Sequence, residues 1–141
     1  MAEIRILVVD DDTDVNEMVA SCLEQVGFKT RSAFNGKEAL ELYKKHYGEI
    51  DVILTDIRMP HMSGDELLSA ISTRRDELQP VLLCMSAFSD LTLDKAYKKG
   101  ADALFAKPFD IDTVEAAIKH FTDFRQQKIE AITQQRKKAS V

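Results

Sequence analysis

The chain is poor in cysteine, has no excess of positive charge and contains no long apolar run. Its two cysteines, Cys22 and Cys84, lie in apolar stretches without CxxC or Cys/His spacing. That excludes a disulfide framework or thiolate metal site, and both read as small buried hydrophobes of a reducing compartment. No stretch approaches the ~20 apolar residues that a membrane-spanning helix needs. The opening MAEIRILVVD is a strand pattern ending in carboxylates, not a signal peptide, so a soluble cytoplasmic protein without a membrane partner is expected. A net charge of −5 speaks against direct nucleic-acid binding, because nothing would neutralise a run of phosphates. His46, His61 and His120 lack ligand spacing. At 141 residues, 45% of them apolar, there is material for one compact core and none for a second full domain.

What is present is a strict alternation. Apolar runs and helical patterns follow one another five times: IRILVVD and a helix to Gly27; FKTRSAF and a helix to about Tyr47; DVILTD and a helix to about Arg74; VLLCMS and a helix ending at Gly100; DALFAK and a helix from about Asp110 onward. Ser63 with Glu66, and Asp14 with Glu17, are spaced as capping boxes, while Gly27 and Gly100 suit left-handed helix ends. In the first helix Val15, Val19, Cys22, Leu23 and Val26 share one face. The alternation implies an α/β fold, a doubly wound parallel sheet with helices on both faces. ILVVD, VILTD and VLLCMS are nearly all apolar and belong inside; FKTRSAF and DALFAK mix in polar or small residues, as edge strands do. Strand order 2-1-3-4-5 satisfies this, and ligands of such sheets bind beyond the carboxyl ends of the strands.

Those ends carry Asp10, Asp11 and Asp12 after the first strand, Asp56 after the third, Ser86 after the fourth and Lys107 after the fifth. Carboxylates gathered this closely repel one another unless a hard cation sits among them, and Mg²⁺, which accepts a few carboxylates together with water and phosphate oxygens, is the natural occupant. Lys107 offers a point charge and Ser86 a hydroxyl to the oxygens of a phosphoryl group. Asp56, ending the central strand, is placed to attack a phosphoryl donor and form an acyl phosphate.

With these residues in this order, the chain resembles the receiver domains of bacterial two-component response regulators over roughly residues 3 to 125. Asp10 and Asp11 look like the acidic pair, Asp56 like the phosphoacceptor, Ser86 and Phe105 like the two switch residues, and Lys107-Pro108 like the Lys-Pro pair; DIRMPHMSGDEL resembles the loop after the phosphoacceptor. The resemblance implies a flavodoxin-like receiver architecture, and direct Mg²⁺ ligation by Asp11, Asp56 and the backbone carbonyl of Arg58 with Asp10 assisting. It also implies a cis Lys107-Pro108 bond and phosphoryl transfer from a histidine kinase or phosphotransfer protein. Ser86 would then move to the phosphoryl group and Phe105 rotate inward, changing the surface of the fourth helix, fifth strand and fifth helix for a downstream output protein or domain. Arg58 and Phe88 stand where the family tunes acyl-phosphate lifetime. Such a protein catalyses only its own phosphorylation and dephosphorylation and is not an enzyme in the ordinary sense.

Other readings compete. Acidic residues before a helix favour its dipole without any metal, but that leaves Asp56 and Lys107 unexplained; Asp12 alone reads as a cap or loop residue. Asp10, Asp12 and Asp14 mimic the start of an EF-hand loop, yet Val15 and Ser21 stand where it needs glycine and glutamate. A haloacid-dehalogenase-like phosphatase would use Asp10 and Asp12, but Asp14 breaks its motif and the chain is short for that class. A flavodoxin-like electron carrier would need a Gly/Thr-rich phosphate loop. A degenerate receiver serving as a non-phosphorylated docking module is the remaining alternative. The expected organisation is a receiver domain over residues 1–124 and a helical extension or linker over 125–141, where Ile129 and Ile132 are the only large aliphatic residues before the terminal valine and no heptad is sustained.

Overall fold

The computed structural model describes residues 3–59, 62–72, 79–86, 100–107 and 110–139. Five strands, β1 (Arg5–Val9), β2 (Lys29–Ala33), β3 (Val52–Asp56), β4 (Val81–Ser86) and β5 (Ala103–Ala106), form one sheet in the order β2-β1-β3-β4-β5, and all neighbours are parallel. This is the expected topology, with β2 and β5 at the edges. Helices α1 (Thr13–Gln25), α2 (Gly36–Lys45) and α3 (Gly64–Ser72) follow the first three strands, and a C-terminal helix spans Ile111–Ala139. The helix expected between Ser86 and Gly100 lies outside the described residues.

Strand side chains alternate between two cores because successive residues point to opposite faces. Leu7, Val9, Ile53, Leu82 and Cys84 pack with Ala39 and Tyr43 of α2 and Leu67, Leu68 and Ile71 of α3. Ile6, Val8, Leu54, Leu83 and Met85 pack with Val19 and Leu23 of α1 and Val114 and Ile118 of the C-terminal helix. Strands buried on both faces are apolar at nearly every position, as β4 shows with six buried residues in six.

Helix ends follow local chemistry, with two corrections. Ser63 and Glu66 form the expected capping box, with Glu66 N–H donating to Ser63 Oγ at 3.4 Å, and Gly27 and Gly100 have φ of 103° and 106°. The capping box expected of Asp14 and Glu17 does not open α1; its cap is Asp12, in keeping with the reading of that residue as a cap or loop residue. Its Oδ1 accepts from the N–H groups of Asp14 and Val15 at 3.1 and 3.2 Å, because the chain enters the helix directly from the strand end; Asp14 falls inside the first turn. The buried face of α1 is also rotated from the expected one: Asn16, Val19, Ala20 and Leu23 are buried, Val15 and Cys22 only partly, and Val26 is 37% exposed. A search for apolar periodicity passes over Asn16, and the stripe drawn without it is displaced.

The C-terminal helix is unbroken over its 29 residues, about 43 Å at 1.5 Å per residue. Arg125 fastens it to the amino-terminal edge of the sheet, donating to the Gln79 carbonyl at 2.8 Å and to Asp51 Oδ1 at 3.3 Å. Asp51 Oδ2 in turn accepts from the Arg5 N–H at 2.9 Å. No helix among the described residues is long and apolar enough to cross a membrane.

Candidate functional site at the carboxyl edge of the sheet

Strand register decides which residues meet. Val9 stands opposite Thr55, so Asp10 comes level with Asp56; Asp56 stands opposite Met85 and Ser86 opposite Ala106, with Lys107 one residue beyond. Parallel pairing thus turns four separate strand ends into one site.

Asp10 is 1% exposed, and each of its polar groups is engaged. Its N–H donates to the Ala33 carbonyl at 3.2 Å, its Oδ1 accepts from Asp12 N–H at 3.0 Å, and its Oδ2 accepts from Lys107 Nζ at 3.1 Å. Asp56 is less enclosed: its Oδ1 accepts from Ile57 N–H at 2.8 Å and its Oδ2 lies 3.2 Å from the same Lys107 Nζ. One ammonium therefore bridges two carboxylates. Lys107 is aimed there by β5, its N–H donating to the Ser86 carbonyl at 2.7 Å, while Ser86 itself is buried. Asp11 is exposed, and one carboxylate oxygen from each of Asp10, Asp11 and Asp56 lies within 4.8 Å of the others.

The electrostatics follow from this packing. Burial lifts the Asp56 carboxyl above its ordinary range; Lys107 and the Ile57 N–H oppose the lift and Asp10 adds to it. Burial works against the Lys107 ammonium, but Asp10 and Asp56 together hold its pKa above the ordinary lysine value. Three hard oxygen donors, one facing solvent, fit a small divalent cation better than a thiophilic metal.

Of the other expected site residues, Arg58 is exposed in the loop after β3, and Phe105 is partly buried against the α1-side core. Phe88, Pro108 and His61 lie outside the described residues. His46 pairs with Glu49 at 3.1 Å, and His120 is exposed beside Phe121.

Sequence reasoning missed three supporting residues. Thr55, fully buried, donates its hydroxyl to the Asp56 carbonyl at 2.9 Å. Gly64 packs against the same peptide: a Cβ there would overlap the Asp56 carbonyl oxygen and lie 2.9 Å from Ile57 Cα. Its N–H donates to the Ile57 carbonyl at 2.8 Å. The glycine opening a helix in MSGDEL was a readable sign of a close backbone approach. Asn16 lies beneath the Asp10–Asp12 turn, and its sign was an amide at helical spacing from Val19, Ala20 and Leu23.

Comparisons with known proteins agree with this architecture. Residues 6–119 match the family model of the response regulator receiver domain. The chain is 34% identical over 117 residues to the transcriptional regulatory protein CrdR of Helicobacter pylori, covering 83% of this chain but 54% of that protein. It thus spans about half the length of that relative. Against sporulation initiation phosphotransferase F of Bacillus subtilis it is 31% identical over 118 residues, 83% of this chain and 92% of the other. A receiver-domain crystal structure from Clostridium thermocellum superposes with a TM-score of 0.82 at 26% identity, covering 88% of this chain and 98% of that one. With a family match spanning most of its length, a 2-1-3-4-5 sheet and an acidic carboxyl edge, the chain belongs to the response regulator receiver domain family and carries the receiver domain of a two-component response regulator.

Proposed function

We propose that Asp56 is the phosphoacceptor of this receiver, and that a phosphohistidine on a histidine kinase or phosphotransfer protein is its donor. The observation that carries the reading is Lys107 Nζ, 3.1 Å from Asp10 and 3.2 Å from Asp56, beside the three converging carboxylates. An Asp56 carboxylate oxygen attacks phosphorus, a new P–O bond forms, and the P–N bond to the donor imidazole breaks. The imidazole leaves with the electron pair and takes up a proton. Asp10, Asp11, Asp56 and the backbone carbonyl of Arg58 would hold Mg²⁺, which when bound neutralises charge between the carboxylates and the phosphoryl oxygens.

The chain's own groups do the rest. Lys107 and the Ser86 hydroxyl bind phosphoryl oxygens, and the added charge of roughly −1.5 to −2 favours the conformer that binds it best. Phe105 turns inward as Ser86 moves, altering the surface formed by the fifth strand and the flanking helices for a downstream output protein or domain. Arg58 and Phe88 control water access to the acyl phosphate and so its lifetime. The chemistry is self-directed: the chain catalyses its own phosphorylation and dephosphorylation in the cytoplasm. Residues 1–124 form the receiver, and 125–141 a helical linker or extension.

The test is intact mass after treatment with acetyl phosphate, with and without Mg²⁺. A Mg²⁺-dependent gain of about 80 Da, one phosphoryl group, that is lost in Asp56→Asn supports the reading. No gain in a folded protein favours a docking module, and gain persisting in Asp56→Asn transfers the nucleophile to Asp10.

A further inference from the structure

Asn16 is fully buried on α1, yet it is not packed as an apolar residue would be. Its Nδ2 donates to three backbone carbonyls at the ends of the first two strands: Ala33 at 2.9 Å, Asp10 at 3.1 Å and Val8 at 3.4 Å. The Ala33 carbonyl also accepts the Asp10 N–H at 3.2 Å, and the Asn16 N–H donates to the Asp12 carbonyl at 2.9 Å. Both ends of the acidic turn are therefore held by one residue. In return its own Oδ1 is buried without a hydrogen-bond partner among the described residues, a cost that an aliphatic side chain in the same space would not incur. The amide orientation follows from its surroundings, since a reversed amide would point oxygen at three carbonyl oxygens.

We infer that Asn16 is a positioning residue for the divalent-cation site, acting through the peptide between Asp10 and Asp11. This rests on the phosphoacceptor reading above. Because a peptide unit is planar, fixing the Asp10 carbonyl fixes the direction in which the chain enters Asp11. Among the described residues nothing hydrogen-bonds the exposed Asp11 carboxylate itself, so its placement depends on the backbone that carries it. Asn16 supplies that constraint from within the core, as outer-shell partners orient metal ligands elsewhere.

The experiment is Mg²⁺ titration by calorimetry on the native chain, on Asn16→Leu, which keeps the side chain's approximate shape and removes the donors, and on Val19→Ala, which cuts the core on the same helix. Asn16→Leu is expected to weaken Mg²⁺ binding by about 10-fold or more, the usual range for lost outer-shell partners. Val19→Ala is expected to lower the melting temperature while leaving the affinity within about twofold. Asn16→Leu binding within about threefold of the native chain, or both variants weakening it equally, overturns the inference. Absence of Mg²⁺ binding by the native chain would instead overturn the phosphoacceptor reading. Should Asn16→Leu not fold, the native chain still decides by NMR: the Asn16 side-chain amide protons should exchange slowly and shift when Mg²⁺ is added, and rapid exchange or no shift refutes the role.

Discussion

Replacing Lys107 by methionine tests whether one ammonium holds the acidic site together. Its Nζ lies 3.1 Å from Asp10 Oδ2 and 3.2 Å from Asp56 Oδ2, with the lysine side chain 22% exposed and that of Asp10 1% exposed. Removing one partner of a buried ion pair costs about 3–5 kcal/mol, because the remaining charge is left uncompensated. Partial exposure of the lysine lowers this, and about 2–3 kcal/mol is a reasonable expectation for Lys107→Met without divalent cations. At about 3 °C per kcal/mol for a chain of this length, the melting temperature should fall by about 6–9 °C. The loss should persist across neutral pH: the raised pKa of Lys107 means that its contribution is complete below the ordinary lysine value of 10.5 and is lost as pH rises through the folded-state value. Mg²⁺ then provides the second arm of the assay. Without a competing ammonium the carboxylates should bind it more tightly, so thermal melts with increasing Mg²⁺ should raise the variant's melting temperature more than the native chain's. An unchanged melting temperature without metal, or equal Mg²⁺ increments in both proteins, would refute the bridging role.

Three further outcomes follow from the packing. Gly64→Ala gains up to about 1 kcal/mol of intrinsic helix preference but forces a Cβ into the Asp56–Ile57 backbone, a steric cost of about 1–3 kcal/mol; denaturant unfolding should show a net loss together with slower phosphorylation, and a more stable variant would contradict the close approach. Asp102, whose carboxyl is raised by burial against the Leu82 N–H and Lys128 influences, disfavours the folded state progressively as pH rises above its ordinary value of 3.8. Asp102→Asn should therefore gain stability relative to the native chain between acidic and neutral pH, and parallel pH profiles for the two proteins would count against this. Arg125→Ala removes the link to Gln79 and Asp51 and should cost about 1–3 kcal/mol, with faster hydrogen exchange in the second half of the C-terminal helix; unchanged exchange there would mean that the helix is held by its apolar face alone.

The interior strands were legible because burial on both faces leaves little room for a polar residue, so VILTD and VLLCMS end where their polar residues begin. For the same reason Asp10, Asp56 and Lys107 stood out: each marks the exit of the chain from the sheet, and parallel register brings such exits together. Of the edge strands, β2 was legible from its Lys, Thr, Arg and Ser content and β5 from its small alanines. What escaped was anything set by a contact between segments. The capping rule has two carboxylates to choose from at the start of α1, and only the path from β1 selects Asp12. Gly64 owes its identity to a peptide eight residues earlier, which no helix rule contains. Asn16 was passed over because periodicity counts apolar side chains, while a buried amide is chosen by carbonyls on two strands that come together only after the sheet has formed.

Those supporting residues bear on a conflict within the site. In the proposed role of nucleophile Asp56 must be ionised, but the end of a central strand is a place where burial favours the neutral form, and its carboxyl is accordingly shifted upward. Neighbouring Asp10 increases the difficulty, and moving either carboxylate toward solvent would lose the convergence of three oxygens within 4.8 Å. The structure meets the conflict with two backbone donors fixed by the chain, the Ile57 N–H on Asp56 Oδ1 and the Asp12 N–H on Asp10 Oδ1, and with one ammonium on a flexible stem shared by their other oxygens. Lys107 is the sole mobile element of that set. A phosphoryl group on Asp56 would draw it away from the bare carboxylate, leaving Asp10 with its backbone donor and whatever cation the acidic turn retains. On the role inferred for Asn16, holding the turn from beneath would allow the charge above it to be redistributed while Asp10 and Asp11 keep their places.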